Sequence, residues 1–281
     1  MAFTTLISAD VLARHLEDPA FAIVDCRYSL DNERWGGDEY RTRHIPGAAY
    51  AHLGHDLAGE KTDRNGRHPL PDPGALTKVF GALGITSGVQ VVAYDQDTGM
   101  YASRLWWLLR WMGHDAAAVL DGGFAKWTAE QRPTAAGEER RVARVFEGTP
   151  RPGWTATADD VAAAAQRADS RVVDARAPER YRGESEPIDR VAGHIPRAVN
   201  HFFKSNLDDR GTFRTPEELR RALRASIGDV QPDRIISYCG SGVTACHNLL
   251  ALEHAGLRGA KLYPGSWSEW SSDPDRPIEK S

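Results

Sequence analysis

The chain has 281 residues, 41% of them hydrophobic and 26% charged, with a formal net charge of −4. That length suits two domains of ordinary size, and the composition is globular rather than disordered or fibrous. The mild acidity offers no attraction to nucleic acid or membrane, and 3 cysteines make no disulfide framework.

The N-terminus, Met1-Ala2-Phe3-Thr4-Thr5-Leu6-Ile7-Ser8, has no basic region and no long apolar core, so it does not read as a signal peptide. Ser8-Ala9-Asp10 is a helix start, an N-cap with an acid in the first turn. The densest apolar stretch, Leu105-Trp106-Trp107-Leu108-Leu109, lies between Arg104 and Arg110 and is far too short to span a bilayer. A reducing, cytoplasmic compartment is the expectation. Residues 134–152 hold Gly137, Gly148, Pro150 and Pro152, which reads as an interdomain linker. Arg140, Arg141 and Arg144 within it read as a solvated surface. In the second half, strands are expected at Arg171–Asp174, Ile235–Tyr238 and Lys261–Tyr263, with a short one near Val199. Thr215-Pro216-Glu217-Glu218 is a strong helix start, with Thr as cap, Pro first and Glu third.

The chain is one pattern written twice. Val24-Asp25-Cys26-Arg27 reappears as Val173-Asp174-Ala175-Arg176, and His44-Ile45-Pro46-Gly47-Ala48 as His194-Ile195-Pro196-Arg197-Ala198. Val91-Val92-Ala93-Tyr94-Asp95 aligns with Ile235-Ile236-Ser237-Tyr238-Cys239. Leu120-Asp121-Gly122-Gly123 and Trp127 align with Leu262-Tyr263-Pro264-Gly265 and Trp270. Ser8-Ala9-Asp10 returns as Thr157-Ala158-Asp159. Two copies of this size indicate a duplicated domain, not a solenoid. Short β-branched runs alternate with helical patterns in each, so the fold class is α/β, two tandem domains each with a parallel sheet flanked by helices.

The chemistry concentrates at Cys239-Gly240-Ser241-Gly242-Val243-Thr244-Ala245. This loop lies between a strand end and a helical pattern from Cys246 to His254. Unpaired N–H groups and the positive helix end favour thiolate, the nucleophilic form. Gly240 and Gly242 let the backbone wrap the sulfur. The bland alternative is an inert buried cysteine; two glycines and two hydroxyls around the sulfur favour the reactive one. Backbone N–H groups from Gly240 to Ala245 would cradle a negative charge, with hydroxyls added by Ser241 and Thr244. No metal or cofactor is called for, and no Cys/His cluster has zinc spacing.

The duplication, the His-Ile-Pro motifs and the Cys239–Ala245 loop together resemble the tandem-domain rhodanese family. The loop is most similar to that of its 3-mercaptopyruvate sulfurtransferases. Related thiosulfate sulfurtransferases carry a basic residue two places after the cysteine, where this chain has Ser241. The resemblance implies a non-catalytic domain over 1–133, a linker over 134–152 and a catalytic domain over 153–281. Asp95 agrees with that division, because a carboxylate in the place of Cys239 cannot hold a persulfide. The implied activity moves a sulfane sulfur from 3-mercaptopyruvate or thiosulfate through a Cys239 persulfide to a thiol, a thioredoxin-like protein or cyanide.

The resemblance also assigns residues. Arg180 matches the arginine that takes the donor's carboxylate, a group whose planar fork suits it. The plain alternative is an ion pair with Asp174 or Glu179. A second substrate arginine often follows Glu-Pro; here Glu186-Pro187 is followed by Ile188, and Arg190 stands two places on as a substitute. His68, in Arg67-His68-Pro69-Leu70-Pro71, matches a histidine placed near the catalytic serine, and Tyr101 an active-site tyrosine. The serine's aspartate partner aligns with Gly54, with Asp56 close by. His44 and His194 read as folding residues, and Cys26 and Cys246 as packing thiols.

Two other classes fit less well. A cysteine phosphatase needs an arginine six places after the cysteine, and Ala245 stands there. The other is a non-enzymatic binding module, or a carrier that receives persulfide from a partner: loss of the loop glycines or of the cysteine would mark a dead module, and neither is lost, while steady turnover of a small donor without a partner separates an enzyme from a carrier.

Overall fold

The repeated β-branched runs form the strands of two separate parallel sheets in a computed structural model that describes residues 2–281. Two units result. The first comprises the described residues through Gly59, then Pro71–Arg151 and Asp209–Thr212; the second comprises Glu60–Leu70, Pro152–Asp208 and Phe213–Ser281. Most of the segment expected as a linker is therefore part of the first unit. Arg144 N–H donates to the Gly81 carbonyl, and Phe146 packs edge-on against Phe80. The short segment Glu60–Leu70 goes with the second unit.

The first unit runs β1 (Leu6–Ile7), α1 (Ala9–Ala13), β2 (Phe21–Asp25), α2 (Trp35–Thr42), β3 (Ala48–Tyr50), α3 (Pro73–Ala82), β4 (Gln90–Tyr94), α4 (Ala102–Trp111), β5 (Ala117–Leu120) and α5 (Gly123–Ala129). Its sheet has the order β1-β5-β4-β2-β3, all parallel. β2, β4 and β5 are buried along their whole length, as parallel strands covered on both faces must be. Ile23, Val92, Tyr94 and Trp127 sit in the core on one side of this sheet.

The second unit runs α6 (Ala158–Ala165), β6 (Arg171–Asp174), α7 (Pro178–Arg182), β7 (Val199–Asn200), α8 (Pro216–Ile227), β8 (Ile235–Tyr238), α9 (Thr244–His254), β9 (Lys261–Leu262) and α10 (Ser266–Trp270), with short 3-10 turns before α8 and β8. The order is β7-β6-β8-β9, again parallel. β9 stops one residue short of the expected end. Tyr263 N–H still bonds the Ser237 carbonyl, and Pro264, with no N–H, ends the ladder. The caps form as the sequence dictates. Thr157 with Asp160, and Thr215 with Glu218, make complete capping boxes, and Ser8 accepts the Val11 N–H.

The repeated motifs are structural in both units. Asp25 pairs with Arg27 at 2.7 Å and Asp174 with Arg176 at 2.6 Å, both pairs buried. Each arginine also stacks on an aromatic ring, Phe124 or Trp267. His44 and His194 are buried, and each Nδ1 lies 2.7 Å from a backbone carbonyl, that of Tyr40 or Tyr181. Among the described residues, no helix is long and apolar enough to cross a membrane.

Candidate active site

Cys239 is the first residue after β8, and its sulfur is held in a backbone turn, not in an apolar pocket. The Gly242 N–H donates to Sγ at 3.1 Å, and the side chain is almost wholly covered. Gly242 has φ +78°, and a Cβ there would meet the Pro264 carbonyl oxygen at 2.6 Å. Only glycine fits both restrictions. Val243 caps α9, so the sulfur lies beside the N-terminus of an eleven-residue helix.

The loop is pinned from α10. Ser266 Oγ accepts the Cys239 N–H at 3.1 Å and donates to the Tyr263 carbonyl at 2.9 Å. Trp267 and Ser268 N–H groups donate to the Cys239 and Gly240 carbonyls. Ser266 adopts φ +55°, a conformation unusual for a residue with a side chain. That backbone is what aims its hydroxyl at the cysteine.

The segment Glu60–Leu70 brings two side chains to this loop. Gly66 approaches α10 so closely that a Cβ would lie 2.7 Å from the Gly265 carbonyl oxygen, and Arg67 N–H donates to Ser268 Oγ. His68 is then buried with Nδ1 2.8 Å from Ser241 Oγ. Arg67 reaches over Gly240. A methyl group on that glycine would meet Arg67 Nη2 at 2.8 Å and both terminal nitrogens of Arg180 at 3.6 Å.

Two cations thus flank the nucleophile's neighbour. Arg180, on α7, donates to Glu186 at 2.6 Å and to Asp189 at 3.2 Å. The alternatives Asp174 and Glu179 do not hold it, since Asp174 is bound by Arg176. Arg67 completes the arrangement by pairing with Asp189. Arg67 was not among the residues singled out from sequence. The signals were there: a basic residue directly before His68, and an arginine missing at Ile188. Arg190 is exposed and lines a polar cleft of about 980 Å³ together with Lys61, Arg64, Asp189 and Arg276.

The other expected residues divide by unit. Thr244 is the first helical residue of α9 and half-buried; Val243 and Ala245 are buried. Cys246 is fully buried, with its thiol 3.3 Å from the Gly242 carbonyl. Cys26 belongs to the first unit, where burial first and the Asp25 and Asp95 charges next push its thiol well above the ordinary range. Such a thiol is inert. Tyr101 caps α4 in the first unit and packs edge-on against Tyr28, and Asp56 there accepts the His52 N–H at 2.7 Å. Among the described residues, no cluster of three or more His, Cys, Asp or Glu side chains has the geometry to hold a metal ion.

The first unit also has a loop of this kind, filled from within. Asp95 follows β4 as Cys239 follows β8. Its carboxylate accepts N–H groups from Asp97, Gly99, Tyr101 and Ala102 at 2.7–3.2 Å. The anion nest is intact, and a fixed carboxylate occupies it.

The description "Rhodanese-like domain" matches residues 8–130 and 157–273. A Pseudomonas aeruginosa protein named "Probable 3-mercaptopyruvate sulfurtransferase" is 42% identical over 280 residues, covering 99% of both chains. Rat thiosulfate sulfurtransferase is 33% identical over 280 residues, covering 95% of this chain and 92% of its own. Among solved structures, the 3-mercaptopyruvate sulfurtransferase of Escherichia coli superposes with a TM-score of 0.81 at 31% identity, covering 95% of this chain and 100% of that one. Two copies of the matched domain, each built on its own parallel sheet, mean that this chain belongs to the rhodanese family.

Proposed function

We propose that this protein is a sulfurtransferase that carries sulfur on Cys239 and takes it from 3-mercaptopyruvate. The observation that carries the reading is the uncharged Ser241 hydroxyl, 2.8 Å from His68 Nδ1 and two residues from the nucleophile. The reaction is ping-pong. The Cys239 thiolate attacks the donor's sulfur, an S–S bond forms, and the donor's C–S bond breaks. Its electron pair goes to the former C3 of the donor as an enolate, which takes one proton to become pyruvate. His68, through Ser241, delivers that proton or stabilises the enolate oxygen by a hydrogen bond. Cys239 is left as a persulfide, whose charge is met by the N–H groups of Gly240 to Ala245 and by the Thr244 hydroxyl. An acceptor thiolate, small or on a thioredoxin-like protein, or cyanide, then attacks the outer sulfur and releases the Cys239 thiolate. Arg180 and Arg67 hold the donor's carboxylate, and Arg190 lines the approach. The first domain has the Asp95 carboxylate in its nest where the second has a thiol, and catalysis belongs to the second. The compartment that suits free thiols is the cytoplasm.

Thiosulfate is the second reading. Its support is the pair Arg67 and Arg180, whose two positive charges match a dianion. The deciding measurement is kcat/KM for both donors on one preparation. A tenfold or greater preference for thiosulfate, about 1.4 kcal/mol, overturns the choice of donor. Intact mass after incubation with donor should show one added sulfur, absent in Cys239→Ser. Turnover retained in that variant overturns the mechanism.

A further inference from the structure

The two carboxylates beside the donor arginines are held in different ways. Glu186 accepts from Arg180, from Arg176 at 3.1 Å, and from the backbone N–H groups of Ile188 and Asp189. Burial pushes its carboxyl up, but the Arg180 and Asp189 hydrogen bonds outweigh that and hold it below the usual range. It is a fully satisfied structural anion. Asp189 is as deeply placed, 6% exposed, yet the bonds its carboxylate receives come from Arg180 and Arg67. Burial pushes its carboxyl up, and the attraction of Arg67 and Arg180 does not offset that. Its partners are the same two guanidiniums that flank Gly240.

We propose that Asp189 is an internal counter-ion that occupies the donor's anion site, so that donor binding must displace it and anionic donors are selected by charge. This rests on the reading of Arg67 and Arg180 as the donor's anion site. With Glu186 and Asp189 both ionised, the two arginines carry no net charge to offer. An entering anion gains the guanidiniums only by breaking the Asp189 bonds, and its apparent affinity is the intrinsic one multiplied by the fraction of the site left free. Repulsion from Asp189 scales with the ligand's charge, so a dianion is penalised more than a monoanion. Two arginines fit for a dianion are in this way biased toward a monocarboxylate. The substitution of Ile188 for a further arginine leaves that balance undisturbed.

The test is binding of two unreactive anions, inorganic sulfate and pyruvate, measured by calorimetry on the full chain and on Asp189→Asn. Sulfate should bind about tenfold tighter to the variant and pyruvate about threefold tighter. In turnover the gain should appear in KM, with the thiosulfate to mercaptopyruvate ratio of kcat/KM rising several-fold. Asp189→Ser, which cannot bridge two guanidiniums, should change sulfate binding in the same direction. Sulfate binding that is unchanged or weaker in both variants, with the melting temperature retained, overturns the proposal and makes Asp189 a positioning partner of the arginines. If both variants are too unstable to bind either anion, Asp189 is a structural anchor and the proposal also falls. Because neither ligand reacts, the outcome is independent of whether the chain turns over any sulfur donor.

Discussion

His68 Nδ1 lies 2.8 Å from Ser241 Oγ, across 173 residues of chain. The contact exists because Glu60–Leu70 is laid against the start of α10, which also pins the Cys239 loop. A proton relay at this place matters only when the leaving group needs a proton. The pyruvate enolate does, and sulfite does not. His68→Asn should therefore lower kcat with mercaptopyruvate by about 100-fold, the low end of the range for general acid–base catalysis. The same variant should change kcat with thiosulfate by no more than a few-fold. Equal losses with both donors would show that His68 only shapes the loop.

Arg180→Ala should act on donor capture. Losing one charged hydrogen bond costs about 1.5–3 kcal/mol, which should appear in KM and in kcat/KM. Arg180→Lys should recover little, because a single ammonium cannot span two carboxylates and a ligand as a planar fork does. Arg67→Ala should weaken donor binding in the same sense. Melting temperatures check for collapse of the Glu186–Asp189 region. Unchanged kcat/KM in Arg180→Ala would make this arginine purely structural.

Ser241→Lys should raise thiosulfate turnover relative to mercaptopyruvate turnover. An ammonium two places after the nucleophile offsets the charge of the donor and of the departing sulfite, while the proton path through His68 is lost. Steady-state kinetics with both donors measure the ratio. A ratio that does not rise removes residue 241 as the donor selector.

Asp95 gives a prediction of stability against pH. Burial raises its carboxyl from 3.8 to about 6, against the pull of the Ala102, Gly99 and Tyr101 N–H groups. Between about pH 4 and 6 the folded chain keeps a proton that the unfolded chain has released. Stability from this group is therefore fully present below that window and falls as pH rises through it. The loss is up to about 3 kcal/mol, from two pKa units at about 1.4 kcal/mol each. Asp95→Asn lacks this term, so the stability difference between wild type and variant should shift by that amount across the window and stay flat above it. Chemical denaturation at several pH values reads it directly. A difference independent of pH would mean that the Asp95 carboxyl titrates alike in the folded and unfolded chain.

The duplication, the strands and the helix caps were legible in the sequence because they are written in local patterns. A β-branched run, a Thr-Pro-Glu-Glu start and a Cys-Gly-Ser-Gly turn each state their conformation within a few residues. The Cys239 loop was readable for the same reason, and so was the contrast with Asp95, since both end the same strand of the repeat. What only the tertiary structure decided was who meets whom across long separations. Ser266 holds the Cys239 N–H from 27 residues away. Glu60–Leu70 leaves the unit that precedes and follows it in the chain and supplies Arg67 and His68 to the other. Arg180 finds Glu186 and Asp189, not the Asp174 or Glu179 that sequence proximity offered. Local conformation follows from propensity and periodicity. Charge pairing between distant segments follows from packing, and no spacing along the chain encodes it.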